Sequence, residues 1–229
     1  MLVLFDIDAT LLTTQGAGIC AMVEVGQQLF SPGFSAEGVE FHGRLDPLIL
    51  ADMLAANNID PTPEAIAAMR EGYGRALAAR LAPGGISQLL PGAAELVASL
   101  AAEPERVTLG LLTGNFPETG TTKLQAAGLD PQQFPIRVWG DDSPHDPPAR
   151  DHLPGVALER VSTAWGRQAR GEEVVIIGDT PHDIACARAH GCRVLAVATG
   201  KYSVAELSHA DEAVEDLGDT GAMMDWLLE

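Results

Sequence analysis

Lysine is nearly missing from this chain. Its 229 residues include only two lysines, Lys123 and Lys201, and Lys and Arg together number 14 against 32 Asp and Glu. The formal net charge of −18 argues against nucleic acid as a partner, because a phosphate backbone needs a basic face. It also repels anionic small molecules at long range. A site for one must supply local positive elements: a metal ion, helix N-termini or a few arginines. Long apolar runs are missing as well. None approaches the ~20 residues that cross a bilayer, so no membrane partner is expected. The N-terminus has no basic stretch leading into an apolar run and a small-residue cleavage site, so no secretory signal is expected. Cysteine is scarce. Cys20, Cys186 and Cys192 are scattered, odd in number and without CxxC spacing. Reduced thiols in a cytoplasm are the expectation.

What is present is an alternation. Short apolar runs recur at Leu2–Phe5, Val107–Leu112, Ile136–Trp139, Val174–Gly178 and Val194–Ala198. Stretches of helical spacing lie among the later ones: Ala93–Ala101, Glu118–Ala127, Leu153–Trp165 and His182–His190. Near-continuous apolar strands alternating with helices predict a parallel sheet covered on both faces. The fold class is therefore α/β, with a Rossmann-like core of three layers. One interval breaks the pattern. From about Gly16 to Leu89 only helix-like segments occur, at Ile19–Phe30, Pro47–Ala56 and Pro63–Leu81. The last opens with Thr62 as N-cap and Pro63 at the first helical position. The expected organisation is a core of residues 1–15 and 90–229 with an all-helical cap at 16–89. A helical module beside a candidate active-site strand is a candidate lid.

The strand ends carry the chemistry. In open parallel sheets ligands sit beyond the carboxyl ends of the strands. Leu2–Phe5 runs into Asp6 and Asp8, Val107–Leu112 into Thr113-Gly114-Asn115, and Val174–Gly178 into Asp179 and Asp183. Two carboxylates one residue apart repel each other and lose solvation in a sheltered place. A strand fraying into an acidic turn could produce one such pair. Four aspartates at two strand ends form an oxygen-rich cluster suited to a hard divalent cation, with magnesium favouring one or two carboxylates plus phosphate and water. Thr113 offers a hydroxyl, and Gly114 allows backbone N–H groups to approach an anion: a phosphate seat.

FDIDATLL, LLTGN and IIGDTPHD, in that order, resemble the first, second and fourth motifs of the haloacid-dehalogenase-like (HAD) hydrolases, over nearly the whole chain. The helical insertion is placed like the α-helical cap of phosphoglycolate-phosphatase-like members. The resemblance implies a magnesium-dependent phosphatase acting on a small phosphorylated metabolite. Asp6 would be the nucleophile that forms an aspartyl-phosphate. Asp8 would protonate the leaving oxygen and then activate water. Magnesium would be held by Asp6, the Asp8 carbonyl and Asp179, with Asp183 in support. Thr113, Gly114 and Asn115 would bind the phosphoryl group. A phosphomutase, a dehalogenase of the same fold and a non-catalytic binding or regulatory protein are alternatives. A monomer and a homodimer are both open.

Two departures matter. Ala9 stands where the family often has Gly, which limits positive φ. The lysine of the third motif, which neutralises nucleophile and phosphate, has no obvious counterpart. Arg150, before the LPGVALERV helix, is the favoured substitute for catalysis and phosphate binding, with Lys201 as the competitor. Lys123 is expected on a surface helix. Substrate choice would lie with His42 and Arg44 in the Phe41–Asp46 loop. Asp46 could equally be a simple N-cap before Pro47. His182 could border the site.

Overall fold

In the computed structural model, which describes residues 1–229, six parallel strands form one sheet. They are β1 (Leu2–Phe5), β4 (Thr108–Leu112), β5 (Ile136–Val138), β6 (Val174–Gly178), β7 (Arg193–Val197) and β8 (Glu212–Val214), in the order β5-β4-β1-β6-β7-β8. β1 is central: Phe5 pairs with Leu111 on one side and Ile177 on the other. Strand order reverses beside β1, and the crevice beyond its carboxyl end is the expected ligand position.

The core has three layers, with helices on both faces of the sheet, because alternate side chains of each strand face opposite ways. Val3 and Phe5 join Leu96 of α4 (Ala93–Ala101), Leu124 of α5 (Pro117–Ala127) and Leu227 of α8 (Thr220–Leu228). Leu2 and Leu4 join Leu153 and Val161 of α6 (Leu153–Trp165) and Ile184 of α7 (Pro181–Ala189). All four β1 side chains are fully buried, each contributing about 1.5–3 kcal/mol relative to exposure.

Three helices fill the interval after β1: α1 (Ala17–Leu29), α2 (Asp46–Ala56) and α3 (Pro63–Leu81). Met22, Val25, Leu50, Met53, Met69, Tyr73 and Leu77 give them a core of their own, which Phe116 at the start of α5 enters. Thr62 caps α3 by accepting from the Ala65 N–H at 3.2 Å. The all-helical expectation for this interval needs one correction. Gln88–Leu89 forms a short strand, β3, antiparallel to β2 (Leu12–Thr13). Two residues leave no periodicity to read. β8 and α8 also lie outside the expected pattern; β8 is a half-buried edge strand beginning with Glu212. No helix is long and apolar enough to cross a membrane.

Candidate active site

β1 makes its last ladder contact where the Asp6 N–H donates to the Ile177 carbonyl at 2.9 Å. The chain then turns. The amides of Leu11 and Leu12 both donate to the Ile7 carbonyl, and Ala9 takes φ 57°. That left-handed conformation explains why the resemblance favours glycine there. The turn leaves Asp6 and Asp8 lining one cavity of about 270 Å³. Thr113 and Gly114 at the end of β4, and Asp179 and Thr180 at the end of β6, complete its floor. Gly16, Gly18, Ile19, Met22, His42, Arg44 and Tyr73 close it from the helical side.

Arg150, from a single 3₁₀ turn at Arg150–His152, is buried among the aspartates. Its Nη2 lies 3.0 Å from Asp6 Oδ2 and also donates to Asp183 Oδ1. Its Nη1 reaches the Gly43 carbonyl, and its Nε has no hydrogen-bond partner. Lys201, the competitor, is half exposed and 3.7 Å from Glu40. Asp183 has both oxygens engaged, since Oδ2 accepts from the Thr180 N–H at 3.0 Å and its hydroxyl at 2.7 Å. Gly178 is required there, because a Cβ would stand 2.2 Å from Asp183 Cγ. Asp183 therefore acts as an anchor for Arg150 and the α7 N-terminus, which qualifies its expected place among the metal ligands.

Asp179 differs. It forms no ion pair, and a Cβ on Gly200 would meet its Oδ2 at 1.9 Å. Burial first, then the charges of Asp183 and Asp6, push its carboxyl up to about 8. Burial also raises Asp6 to about 6, with Arg150 opposing. The carboxylates of Asp6, Asp179 and Asp183 offer oxygens within 4.8 Å of one another. A buried oxygen donor set in which one carboxylate, Asp179, has no direct ion pair fits a hard divalent cation.

Two expectations are overturned. Lys123 is buried, because α5 packs between sheet and helical module. Its Nζ donates to Asp8 Oδ2 at 2.5 Å and to Asn115 Oδ1 at 2.5 Å. Burial lowers its pKa, but Asp8, Tyr73 and Asp46 outweigh that, so the net shift is upward and it stays an ammonium. Beside it, the side-chain amide of Asn115 donates to Asp8 Oδ2 and Thr113 Oγ1, each at 2.8 Å. Asp46 is no N-cap either. It lies inside α2 and accepts from the Phe116 N–H at 3.0 Å and the Thr119 hydroxyl at 3.2 Å. Of the loop candidates, His42 and Arg44 line the cavity, but the Arg44 guanidinium is paired with Asp52. His182 packs against Gly43 outside the cavity lining. Gly114 serves close packing: a Cβ would lie 2.1 Å from the Arg44 carbonyl.

Residues 152–220 match the HAD-hydrolase-like family model. No curated protein sequence matches the chain. Solved structures match it over nearly its full length. CbbY from Rhodobacter sphaeroides, in complex with phosphate, is 21% identical, with 96% of each chain covered and a TM-score of 0.73. A predicted phosphoglycolate phosphatase from Haemophilus somnus is 16% identical, with 97% of each chain covered and a TM-score of 0.70. A haloacid-dehalogenase-like hydrolase from Streptococcus pneumoniae is 17% identical, with 97% of each chain covered and a TM-score of 0.65.

Proposed function

From a chain with the haloacid-dehalogenase-like hydrolase fold, whose residues 152–220 match that family's model, we propose a magnesium-dependent phosphatase of small phosphate monoesters. The observation that carries the reading is the cation placement around Asp6. Arg150 pairs with Asp6 and Asp183, while Asp179 beside them has no partner of its own. Asp6 and Asp179 would hold magnesium, with the Asp8 carbonyl completing the protein ligands. When bound, the ion draws charge from phosphate oxygens and from the Asp6 carboxylate.

The residues then act as follows. Thr113 and Arg150, which both line the cavity, orient the phosphoryl group. An Asp6 oxygen attacks phosphorus, and the bond to the ester oxygen breaks with its electron pair leaving on that oxygen. A proton from Asp8 completes the alcohol. Water then attacks the phosphorus of the aspartyl-phosphate and gives its proton to Asp8. The phosphorus bond to Asp6 breaks, the carboxylate returns, and phosphate departs. Residues 16–89 are proposed to act as a cap: their helices close the cavity, and its volume of about 270 Å³ suits a small metabolite.

The test is turnover across small phosphorylated metabolites with magnesium and with chelator. Asp6→Asn is nearly isosteric and should abolish turnover while leaving the melting temperature within a few degrees. Activity that survives chelation, or an active Asp6→Asn protein, would sink the reading.

A further inference from the structure

Asp8 stands on an open turn, with its side chain 40% exposed, and Ala9 follows it in a left-handed conformation. Nothing in β1 itself holds that carboxylate in one rotamer. Two donors from another strand end and helix do. Asn115 Nδ2 and Lys123 Nζ both donate to the same oxygen, Asp8 Oδ2, at 2.8 and 2.5 Å. They are also bonded to each other, through Asn115 Oδ1. With two hydrogen bonds accepted, Oδ2 has no free lone pair for a proton. Oδ1 is the oxygen left to exchange one.

We propose that Lys123, acting with Asn115, is a positioning residue for Asp8, so that only Oδ1 gives the proton to the leaving oxygen and takes one from the attacking water. The assignment rests on the phosphatase reading above. It explains why one of only two lysines in a strongly acidic chain is buried at this place. It also separates the two cations of the site by task. Arg150 serves the nucleophile and the phosphoryl charge, and Lys123 serves the proton carrier.

The measurement is kcat/KM on two esters for unmodified protein, Lys123→Met and Asn115→Ala. Propyl phosphate leaves as an alkoxide and needs the proton; p-nitrophenyl phosphate leaves as a stable phenolate and does not. Because kcat/KM reports the steps up to leaving-group departure, the later water step does not mask the difference. Lys123→Met should lose about 100-fold on propyl phosphate and less than about threefold on p-nitrophenyl phosphate. Asn115→Ala should shift the ratio in the same direction, and it carries the comparison if Lys123→Met does not fold. A crystal structure of Lys123→Met should show the Asp8 carboxylate in another rotamer. Equal losses on both esters would overturn the assignment in favour of a structural role. If the equal loss lies in KM with kcat unchanged, Lys123 is a substrate contact instead. If unmodified protein turns over neither ester, the phosphatase reading falls, while the rotamer of Asp8 in the variant crystal still decides whether Lys123 holds it.

Discussion

Through one nitrogen, Arg150 Nη2, two buried carboxylates are held at once. Removing it leaves Asp6 and Asp183 without a cation in a sheltered place, so both catalysis and folding should suffer. Arg150→Ala is expected to lower turnover on the order of a hundredfold or more, and to destabilise by about 3–5 kcal/mol. Arg150→Lys should recover part of the rate but lose the two-way bridge. Lys201→Ala should remain near normal, since Lys201 faces Glu40 at the half-exposed rim. Steady-state rates and urea midpoints for the three variants decide this, and a crippled Lys201→Ala would reverse the assignment. Ala9 offers a second residue-scale test. Its φ of 57° strains an L-residue by roughly 1–2 kcal/mol, and glycine offsets part of that through a freer unfolded chain. Ala9→Gly should raise the urea midpoint by about 0.5–1 kcal/mol equivalent, and a lowered midpoint would show the turn to be unstrained.

At the scale of elements, α5 joins the two modules. Its first turn takes Asp46 of α2 through the Phe116 N–H and the Thr119 hydroxyl. Its Glu118 holds Arg70 of α3 through two hydrogen bonds, at 2.7 and 3.0 Å. Burial raises Asp46 from its ordinary value near 3.8 to about 6, with Lys123 opposing. The folded chain therefore binds the Asp46 proton more tightly than the unfolded chain does. That contribution to stability is complete below about pH 4 and is lost as pH rises through about 6, roughly 3 kcal/mol in all. Asp46→Asn lacks it. Its stability relative to the unmodified protein should improve by about that amount between pH 4 and pH 7. Urea midpoints of both proteins at the two pH values test the sign; a constant difference would place Asp46 in a less sheltered setting. The joint role of α5 was not legible beforehand. PETGTTKLQAA has a weak apolar stripe, and polar spacing of that kind ordinarily means a solvated face. Burial against the helical module made Thr119 a partner of Asp46 and brought Lys123 into the cavity lining.

For the whole molecule the charge of −18 sets the approach of substrate. A phosphate ester, the proposed substrate, would meet a repulsive field before Arg150 and the proposed metal attract it at short range. Salt screens the long-range part, with a Debye length near 10 Å at about 0.1 M. At fixed magnesium, kcat/KM should therefore rise roughly two- to fivefold from about 10 to about 200 mM salt, with kcat little changed. A fall in kcat/KM would mean that local positive charge dominates even the encounter.

Apolar runs at Leu2–Phe5 and Val174–Gly178 were readable as strands to the residue, and Pro63–Leu81 as a helix with its cap. The reason is local. Continuous burial on both sheet faces writes an unbroken apolar run, and a helix start needs particular residues at particular positions. The same logic made Asp6, Asp8, Thr113 and Asp179 visible, since ligands gather at strand ends. Tertiary structure alone decided which cation meets which carboxylate. Arg150 lies 144 residues from Asp6, and Lys123 lies 115 residues from Asp8. No local propensity relates such positions. Packing of the 3₁₀ turn against α7, and of α5 against the helical module, brings them within hydrogen-bond reach. The low dielectric of that packing then makes each pairing obligatory, because a buried charge without a partner costs several kcal/mol.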